Sequence, residues 1–313
     1  MAAVVVVGSF NVDHVWTLPR HPRSGETLAA RYATGPGGKG FNQATAAARA
    51  GADTAFLCAL GDDAGGELAR RLAAADGIAL HAAPSSQPTG TAGIYVDATG
   101  NNTIAFGAGA NADLDAAFID QHAGELASAR VVLAQMETPP AAILSTFRHA
   151  RRSDALTVLN PAPADAELSG ALLALADVVT PNESEFCAQL SVHCSTRLEG
   201  TGLVEMEDAE LHSHCRRLCP HGTVVVTLGA AGCFVSHADA ARHGDDHAHY
   251  RVPAAPAGVV DTTGAGDAFN GALAASLARR AGSFADSIRF AARYAAASTE
   301  NAGAAASMPR LTP

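Results

Sequence analysis

The interpretation of this chain depends most on Val260-Asp261-Thr262-Thr263-Gly264-Ala265-Gly266-Asp267-Ala268-Phe269-Asn270-Gly271. An extended apolar stretch ends here, a glycine-rich turn follows, and an alanine-rich helix begins. Such a turn directs several backbone N–H groups and the positive end of a helix at one point, which suits a phosphate. Asp267 could then take a proton from a hydroxyl while the amides of Gly264, Ala265 and Gly266 hold phosphoryl oxygens. The plainer alternative is an ordinary helix start in which Asp267 complements the helix dipole.

Two more glycine-containing strings lie near the N-terminus. Gly35-Pro36-Gly37-Gly38-Lys39-Gly40-Phe41-Asn42-Gln43-Ala44 has close-set glycines that let a ligand approach the backbone, and Asn42 offers a donor and an acceptor to a polyol. Gly8-Ser9-Phe10-Asn11-Val12-Asp13 ends the first apolar run, and Asn11 and Asp13 face the same side if the segment is extended. Ordinary turns with local side-chain hydrogen bonds remain the alternative for both strings.

Composition limits the class of protein. The chain has 313 residues, 48% of them hydrophobic, and a formal net charge of −10. This balance is typical of a globular protein and argues against a nucleic-acid partner, which would need clustered Lys and Arg. We expect no membrane span, no export signal and no disulfide framework from the six cysteines, and therefore a cytoplasmic protein.

Short apolar runs alternate with alanine-rich amphipathic stretches along the chain. The runs predict strands at Val4–Gly8, Thr54–Leu60, Arg130–Ala134, Leu156–Asn160, Val178–Thr180, Val224–Leu228 and Cys233–Ser236. Helices are predicted near 42–50, 63–76, 113–123, 138–151, 165–175, 183–190, 207–218, 265–280 and 284–300. The alternation indicates βαβ units around a mostly parallel sheet. Residues 12–35 and 89–107 alternate polar and apolar instead, which predicts a small separate sheet that could cover a site.

The three glycine-containing strings together resemble the ribokinase-like (PfkB) family of sugar and nucleoside kinases. Six further strings fall in the family's order and spacing: Ser24-Gly25-Glu26-Thr27, Gly61-Asp62-Asp63, Leu133-Ala134-Gln135-Met136-Glu137-Thr138-Pro139, Leu159-Asn160-Pro161-Ala162-Pro163-Ala164, Thr180-Pro181-Asn182-Glu183-Ser184-Glu185 and Val226-Thr227-Leu228-Gly229. The resemblance covers nearly the whole chain.

The resemblance implies a fold and an activity. The fold would be a three-layer α/β/α sandwich, with a core domain of residues 1–11, 36–88 and 108–313 and a β-sheet lid of residues 12–35 and 89–107. The activity would be ATP-dependent phosphorylation of the primary hydroxyl of ribose. The alternatives are a family kinase for a nucleoside, fructose or another pentose or deoxypentose, and a non-catalytic sugar-binding protein on the same fold.

The resemblance also assigns roles to single residues. Asp267 would be the catalytic base, beside an anion hole of Gly264, Ala265 and Gly266. The other sugar-binding residues would be Asn11, Asp13, Gly38, Lys39, Asn42 and Glu137. The ATP-binding residues would be Asn182, Glu185, Thr227, Gly229, Gly232 and Gly266.

Two cations and a partner follow from the same resemblance. Glu185 would act on Mg²⁺ through water, as expected for an ion that keeps several waters. A potassium ion would lie beside the anion hole, near Asp261, Thr263, Ser298, Asn301, Gly303 and Ser307. The lid would form the interface of a homodimer.

Some features depart from the family pattern or point elsewhere. Phe41 replaces a usual Ala, and it either narrows the sugar pocket or packs behind it. Ala292 stands where a polar residue often meets the adenine, 194–207 looks like an insertion, and the customary final helix is missing after Ser307. The His- and Cys-containing stretch 212–221 lacks a second pair at zinc-site spacing, and we expect core cysteines with surface histidines there.

Overall fold

The computed structural model describes residues 2–164, 168–239 and 244–311 and contains two β-sheets. The larger sheet has nine strands in the order β13-β12-β11-β10-β9-β8-β1-β4-β5. Its strands are β1 (Val4–Val7), β4 (Thr54–Gly61), β5 (Ala79–Ser85), β8 (Val131–Ala134), β9 (Leu156–Leu159), β10 (Val178–Val179), β11 (Thr223–Thr227), β12 (Cys233–Ser236) and β13 (His249–Val252).

Strand β1 lies between β4 and β8, and all three are parallel. Its four valines are fully buried because side chains on both faces of the sheet meet helices. Parallel pairing continues through β9, β10 and β11, whereas β12 and β13 pair antiparallel at one edge. The carboxyl ends of the parallel strands therefore open on one side, where ligands bind in such sheets.

Ten helices cover the two faces of this sheet within the described residues. They are α1 (Lys39–Arg49), α2 (Ala64–Ala75), α3 (Ala116–Gln121), α4 (Ala123–Ser128), α5 (Pro140–Ala150), α6 (Gly170–Leu175), α7 (Glu183–Cys194), α8 (Asp208–Leu218), α9 (Ala265–Arg279) and α10 (Phe284–Ser298). One apolar core forms against α3–α8 and a second against α1, α2, α9 and α10. The result is a three-layer α/β/α sandwich.

The smaller sheet has four strands in the order β3-β2-β6-β7, which are β2 (Asn11–Thr17), β3 (Arg31–Gly37), β6 (Gly90–Val96) and β7 (Asn102–Gly107). We call these four strands the lid. Strands β2 and β6 are parallel, and the other two pairs are antiparallel. Because β2 starts only a few residues after β1 ends, the lid begins at the open edge of the large sheet.

The predicted fold class is confirmed, and all seven predicted strands are present. Two strands of the large sheet, β5 and β13, were missed because they form its edges and are only partly buried, without a continuous apolar run. The single helix predicted at 113–123 is two short helices, α3 and α4. Residues 165–167 of another predicted helix lie outside the described residues. None of the described helices has the length and apolarity that a membrane crossing requires.

Candidate active site

Three elements meet where β1 ends: the N-terminus of α1, the N-terminus of α9 and the first strand of the lid. Asp267 lies in the first turn of α9, and its side chain is only 7% exposed. The turn before it depends on Gly264, whose φ of 76° belongs to the left-handed region that glycine adopts freely. Chain elements more than 200 residues apart in sequence are thus joined around one carboxylate.

Both oxygens of the Asp267 carboxylate accept hydrogen bonds from amide side chains of α1. Asn42 Nδ2 donates to Oδ2 at 2.9 Å, and Gln43 Nε2 donates to Oδ1 at 2.9 Å. The Oδ1 atom of Asn42 is buried and accepts no hydrogen bond from any described residue. A buried acceptor without a partner is costly, so this atom is available to a ligand hydroxyl.

Glu137 belongs to the same space, since its charge acts on Asp13 and Lys39 together with that of Asp267. Its Oε2 atom accepts hydrogen bonds from Ser9 Oγ at 2.5 Å and from the backbone N–H of Lys39 at 3.0 Å. One carboxylate oxygen thereby ties the end of β1 to the start of α1. The carboxylate is partly exposed, so Oε1 can accept a hydrogen bond from a ligand.

Asn11 is oriented by a residue that the sequence analysis did not identify. Asn111 is fully buried, and its Nδ2 donates to Asn11 Oδ1 at 2.8 Å and to the carbonyl of Phe10 at 3.1 Å. Its Oδ1 accepts from the backbone N–H of Phe10 at 3.0 Å. With its Oδ1 held in this way, Asn11 keeps its own amide N–H groups for a ligand.

The charges of this space interact strongly. Burial, together with the carboxylates of Glu137 and Asp267, raises the pKa of Asp13 to about 6. Burial lowers the pKa of Lys39, but the carboxylates of Asp267, Glu137 and Glu185 outweigh it, and the pKa is raised overall. Lys39 therefore stays protonated and places one positive charge among the acids.

Glycine is required where α1 approaches the lid and β1. Gly38 has a φ of 88°, and a Cβ atom there would lie 2.9 Å from the backbone N of Asn11. A Cβ atom on Gly37 would lie 2.2 Å from Oδ2 of Asp13. The close-set glycines thus let α1 start directly beside the polar side chains, as the sequence predicted.

A second cavity, of about 550 Å³, lies on the other side of the α9 N-terminus. It brings together four of the predicted ATP-binding residues, Thr227, Gly229, Gly232 and Gly266. The rest of its wall is mainly small and apolar, with Ala230, Ala254, Ala255, Ala257, Ala292, Ala295 and Ala296 among its residues. We call it the nucleotide cavity after its predicted ligand, because apolar walls suit a flat heterocycle. The glycine-rich turn of residues 263–266 beside it is called the anion-binding turn after its predicted role.

The other two predicted ATP-binding residues form a helix cap. The side chain of Asn182 accepts from the backbone N–H of Glu185 at 2.9 Å, and the Glu185 carboxylate accepts from both nitrogens of Asn182. This is a capping box at the start of α7. It lies next to the nucleotide cavity, since Asn182 forms an isolated β-bridge with Thr227. Burial raises the pKa of Glu185.

Asp261 joins the anion-binding turn to the C-terminal segment. Its carboxylate accepts from the backbone N–H of Thr263 and of Gly303, each at 2.9 Å. Ser298 and Ser307, two other predicted potassium ligands, lie on either side of Gly303 in the sequence. Both are buried and donate to carbonyls of their own turns. The fifth and sixth members of that predicted set are Thr263 itself and the exposed Asn301. Each of these residues can offer an oxygen atom to a cation, from its side chain or from its backbone carbonyl, and oxygen ligands suit a hard cation.

Two open points of the sequence are answered by packing. Phe41 is 1% exposed and packs edge-on against Phe10 with ring centroids 5.0 Å apart, so it lies in the core behind the site. Cys215 and Cys219 are buried core residues, as predicted, but two of the histidines expected at the surface are not: the His214 side chain is only 13% exposed, and His212 is half-buried against Ser236. Among residues 2–164, 168–239 and 244–311, no group of three or more His, Cys, Asp or Glu side chains is placed to hold a metal.

Comparisons with known proteins agree with this geometry. The family model of the pfkB carbohydrate kinases matches residues 1–311. The chain is 36% identical to the ribokinase of Haemophilus influenzae over 98% of this chain and 95% of that protein. It is also 36% identical to the bifunctional ribokinase/ribose-5-phosphate isomerase A of Fructilactobacillus sanfranciscensis, over 99% of this chain, and it spans 55% of that longer protein.

The structure of Arabidopsis thaliana ribokinase complexed with ribose and ATP superposes with a TM-score of 0.81 and 29% sequence identity, covering 98% of this chain and 96% of that one. The match to the family model spans almost the entire chain. The chain therefore belongs to the pfkB family of carbohydrate kinases.

Proposed function

We propose that this protein is an ATP-dependent kinase that transfers the terminal phosphoryl group of ATP to the primary hydroxyl of ribose. The observation that carries the proposal is the buried Asp267 carboxylate, held by two amides between a polar space and the nucleotide cavity. The ribokinase relatives, which match over nearly the full length of this chain, support ribose as the acceptor.

Asp267 acts as the general base in this proposal. The primary hydroxyl of the sugar donates to the carboxylate, which takes the proton as the oxygen attacks the phosphorus. The other hydroxyls are bound by Asn11, Asp13, Asn42 and Glu137, which present both donors and acceptors. These contacts hold the attacking oxygen in line, which accounts for much of the rate of such reactions.

The transferred phosphoryl group meets the N-terminus of α9. First-turn amides of a helix have no intrahelical acceptor, so those of Gly266 and Asp267 can donate to phosphoryl oxygens. The amide of Ala265 instead donates to the carbonyl of Thr262 at 3.1 Å, so its predicted part in the anion hole requires a small change of the turn. The protonated Lys39 adds positive charge between the substrates.

Two cations complete the proposal. Mg²⁺ arrives with ATP as part of the substrate, and Glu185 would bind its waters, since both carboxylate oxygens already accept from Asn182 and a direct bond is disfavoured. Potassium would bind the oxygen donors around Asp261 and Gly303 and would stiffen the anion-binding turn. We also propose a homodimer through the lid, where Tyr32, Ile104 and Phe106 are 49–55% exposed.

The proposal is tested by measuring ADP release with ribose, 2-deoxyribose, fructose, adenosine and no acceptor. We expect kcat/KM to be highest for ribose, with the 5-phosphate as product. Preference for adenosine or fructose would assign the chain to another activity of the family. Sugar binding without ADP release, in the presence of Mg²⁺ and K⁺, would indicate the non-catalytic alternative.

The cations and the dimer need separate measurements. Replacing K⁺ by the large tetramethylammonium ion should lower kcat, and equal rates in both salts would contradict the potassium site. Sedimentation at micromolar concentration should show a dimer, and a variant with Ile104→Lys and Phe106→Lys should be monomeric. A wild-type monomer would contradict the proposed interface.

A further inference from the structure

Gln43 is a buried side chain whose hydrogen bonds all go to other side chains of the site. It is fully buried on α1, next to Asn42. Its Nε2 atom donates to Asp267 Oδ1 at 2.9 Å and to Asn160 Oδ1 at 3.0 Å. Its Oε1 atom accepts from Gln135 Nε2 at 2.6 Å. Neither proton of the Gln43 amide is left for a substrate.

These contacts set the orientation of the Gln43 amide. If the amide were turned over, its oxygen would face the carboxylate oxygen of Asp267 and the amide oxygen of Asn160, and its NH₂ would face the NH₂ of Gln135. Three acceptor–donor contacts would become repulsive in a buried setting, where unpaired polar groups are costly. The donor side of Gln43 is therefore held toward Asp267.

The partners of Gln43 belong to the framework of the large sheet. Three adjacent parallel strands, β8, β9 and β10, are each followed directly by a polar residue. These residues are Gln135, Asn160 and Thr180, respectively. Asn160 Nδ2 donates to the carbonyl of Thr180 at 2.9 Å, which extends the network to the third strand end. Gln43 thus ties the Asp267 carboxylate to the ends of strands in the middle of the large sheet.

The same network reaches the anion-binding turn. Thr180 Oγ1 donates to Asn270 Oδ1 at 2.5 Å, and Asn270 Nδ2 donates to the carbonyl of Gly266 at 2.8 Å. The chain of bonds from Asp267 through Gln43, Asn160, Thr180 and Asn270 therefore returns to the residue before Asp267. All of these side chains are at most 7% exposed.

We propose that Gln43 is a positioning residue that holds the Asp267 carboxylate at a fixed place relative to the Gly266 turn. Asn42 also binds this carboxylate, but it has a free buried oxygen and so is shared with the acceptor hydroxyls. Gln43 makes no such contact and keeps the base aligned whether or not the sugar is bound. The inference rests on the proposed kinase function, in which Asp267 is the base.

The first test is the variant Gln43→Leu, which keeps the size of the side chain and removes its polar atoms. A base that is no longer held should lower kcat by about 10- to 100-fold, because misplacement by about 1 Å has effects of that order. The KM values for ribose and ATP should change less than about threefold, since Gln43 touches neither substrate. Gln189→Leu, at a buried glutamine of α7 outside the network, is the control and should retain wild-type kcat.

The second test combines Gln43→Leu with Asp267→Asn. If Gln43 acts only through Asp267, its replacement should lower kcat less than about twofold in the Asp267→Asn background, whereas independent effects would multiply. Gln43→Met serves if Gln43→Leu does not fold, because it keeps the length of the side chain and also removes the donor to Asp267. It should also lower kcat at unchanged KM for ATP.

The outcomes separate the two proposals. Wild-type kcat in both Gln43 variants, or an undiminished effect in the Asp267→Asn background, would overturn the positioning role and leave the kinase function intact. If Asp267→Asn keeps full turnover, Asp267 is not the base. That result would contradict the proposed mechanism itself, whatever the Gln43 variants show.

Discussion

The nucleotide cavity and the polar space around Asp267 are built from different side chains. We call this polar space, which holds Asp13, Asn42, Glu137 and Asp267, the sugar-facing half of the site, because we propose that the sugar binds there. Around Asp267, carboxylate and amide side chains are hydrogen-bonded to each other and to residues at strand ends, whereas the nucleotide cavity is walled mainly by alanine and glycine. Buried polar groups discriminate sharply between ligands, because a ligand that fails to pair with them leaves them unsatisfied. Apolar walls tolerate substitution, so the largest effects should come from the sugar-facing half.

The largest effect is expected for Asp267→Asn. Loss of a general base should lower kcat by about 10²–10⁴, with small changes in KM for ATP. Steady-state rates of ADP release at saturating ribose measure it, and Asp53→Asn, at an exposed carboxylate, is the matched control. Near-normal turnover of Asp267→Asn would show that the sugar-facing half does not supply the general base.

Asn111→Leu should have the next largest kinetic effect, and it should change KM for ribose rather than KM for ATP. Without Asn111, the side chain of Asn11 loses its orienting bond and the backbone N–H of Phe10 loses its acceptor. KM for ribose should rise about tenfold and stability should fall by about 1–3 kcal/mol. Titrating ribose at saturating ATP, with a thermal melt, checks both. An unchanged KM for ribose would remove Asn111 from the site.

Lowering the pH should weaken the binding of ribose before it weakens the binding of ATP. The pKa of Asp13 is raised to about 6, so below that pH its carboxyl is protonated and loses an acceptor site for a sugar hydroxyl. KM for ribose should be about tenfold higher at pH 5 than at pH 7, while KM for ATP changes less. Kinetics in a constant-ionic-strength buffer series test this, and Asp13→Asn should flatten the profile of KM for ribose.

The same shift has a consequence for stability with the opposite sign. A carboxyl whose folded pKa lies above its unfolded value of 3.8 disfavours the folded state when it is ionised. The contribution of Asp13 to the free energy of unfolding therefore falls as the pH rises from about 4 to about 6. Asp13→Asn should melt at a higher temperature than the wild type at pH 7 while binding ribose less well.

The smallest effect is expected in the nucleotide cavity. Ala292→Leu adds apolar volume to a wall of small residues on α10, and it should raise KM for ATP by about threefold with kcat for ribose nearly unchanged. Competition with ADP measures the affinity directly. A loss of kcat as large as that expected for Gln43→Leu would show that the apolar wall also positions the reacting groups.

The fold could be predicted, and so could several of the residues that the structure brings together around Asp267, because their signals are local. Continuous valine runs indicate strands buried on both faces, and glycine strings before alanine-rich helices indicate places where a ligand approaches the backbone. The edge strand β13 was missed because it has no such run. His237 likewise has no local signal of burial, yet it is fully buried and hydrogen-bonded to Thr223 and Asp245.

The sequence by itself predicted the alternation of strands and helices, the glycine-rich turn before α9 and the position of Asp267 in the first turn of that helix, since each depends on neighbouring residues. Only the tertiary structure decided that Phe41 lies in the core, that Asn111 orients Asn11 and that Gln43 reaches Asp267. The last two pairs are 100 and 224 residues apart along the chain. Contacts over such separations depend on the order in which parallel strands lie side by side, and no local pattern of residues encodes that order.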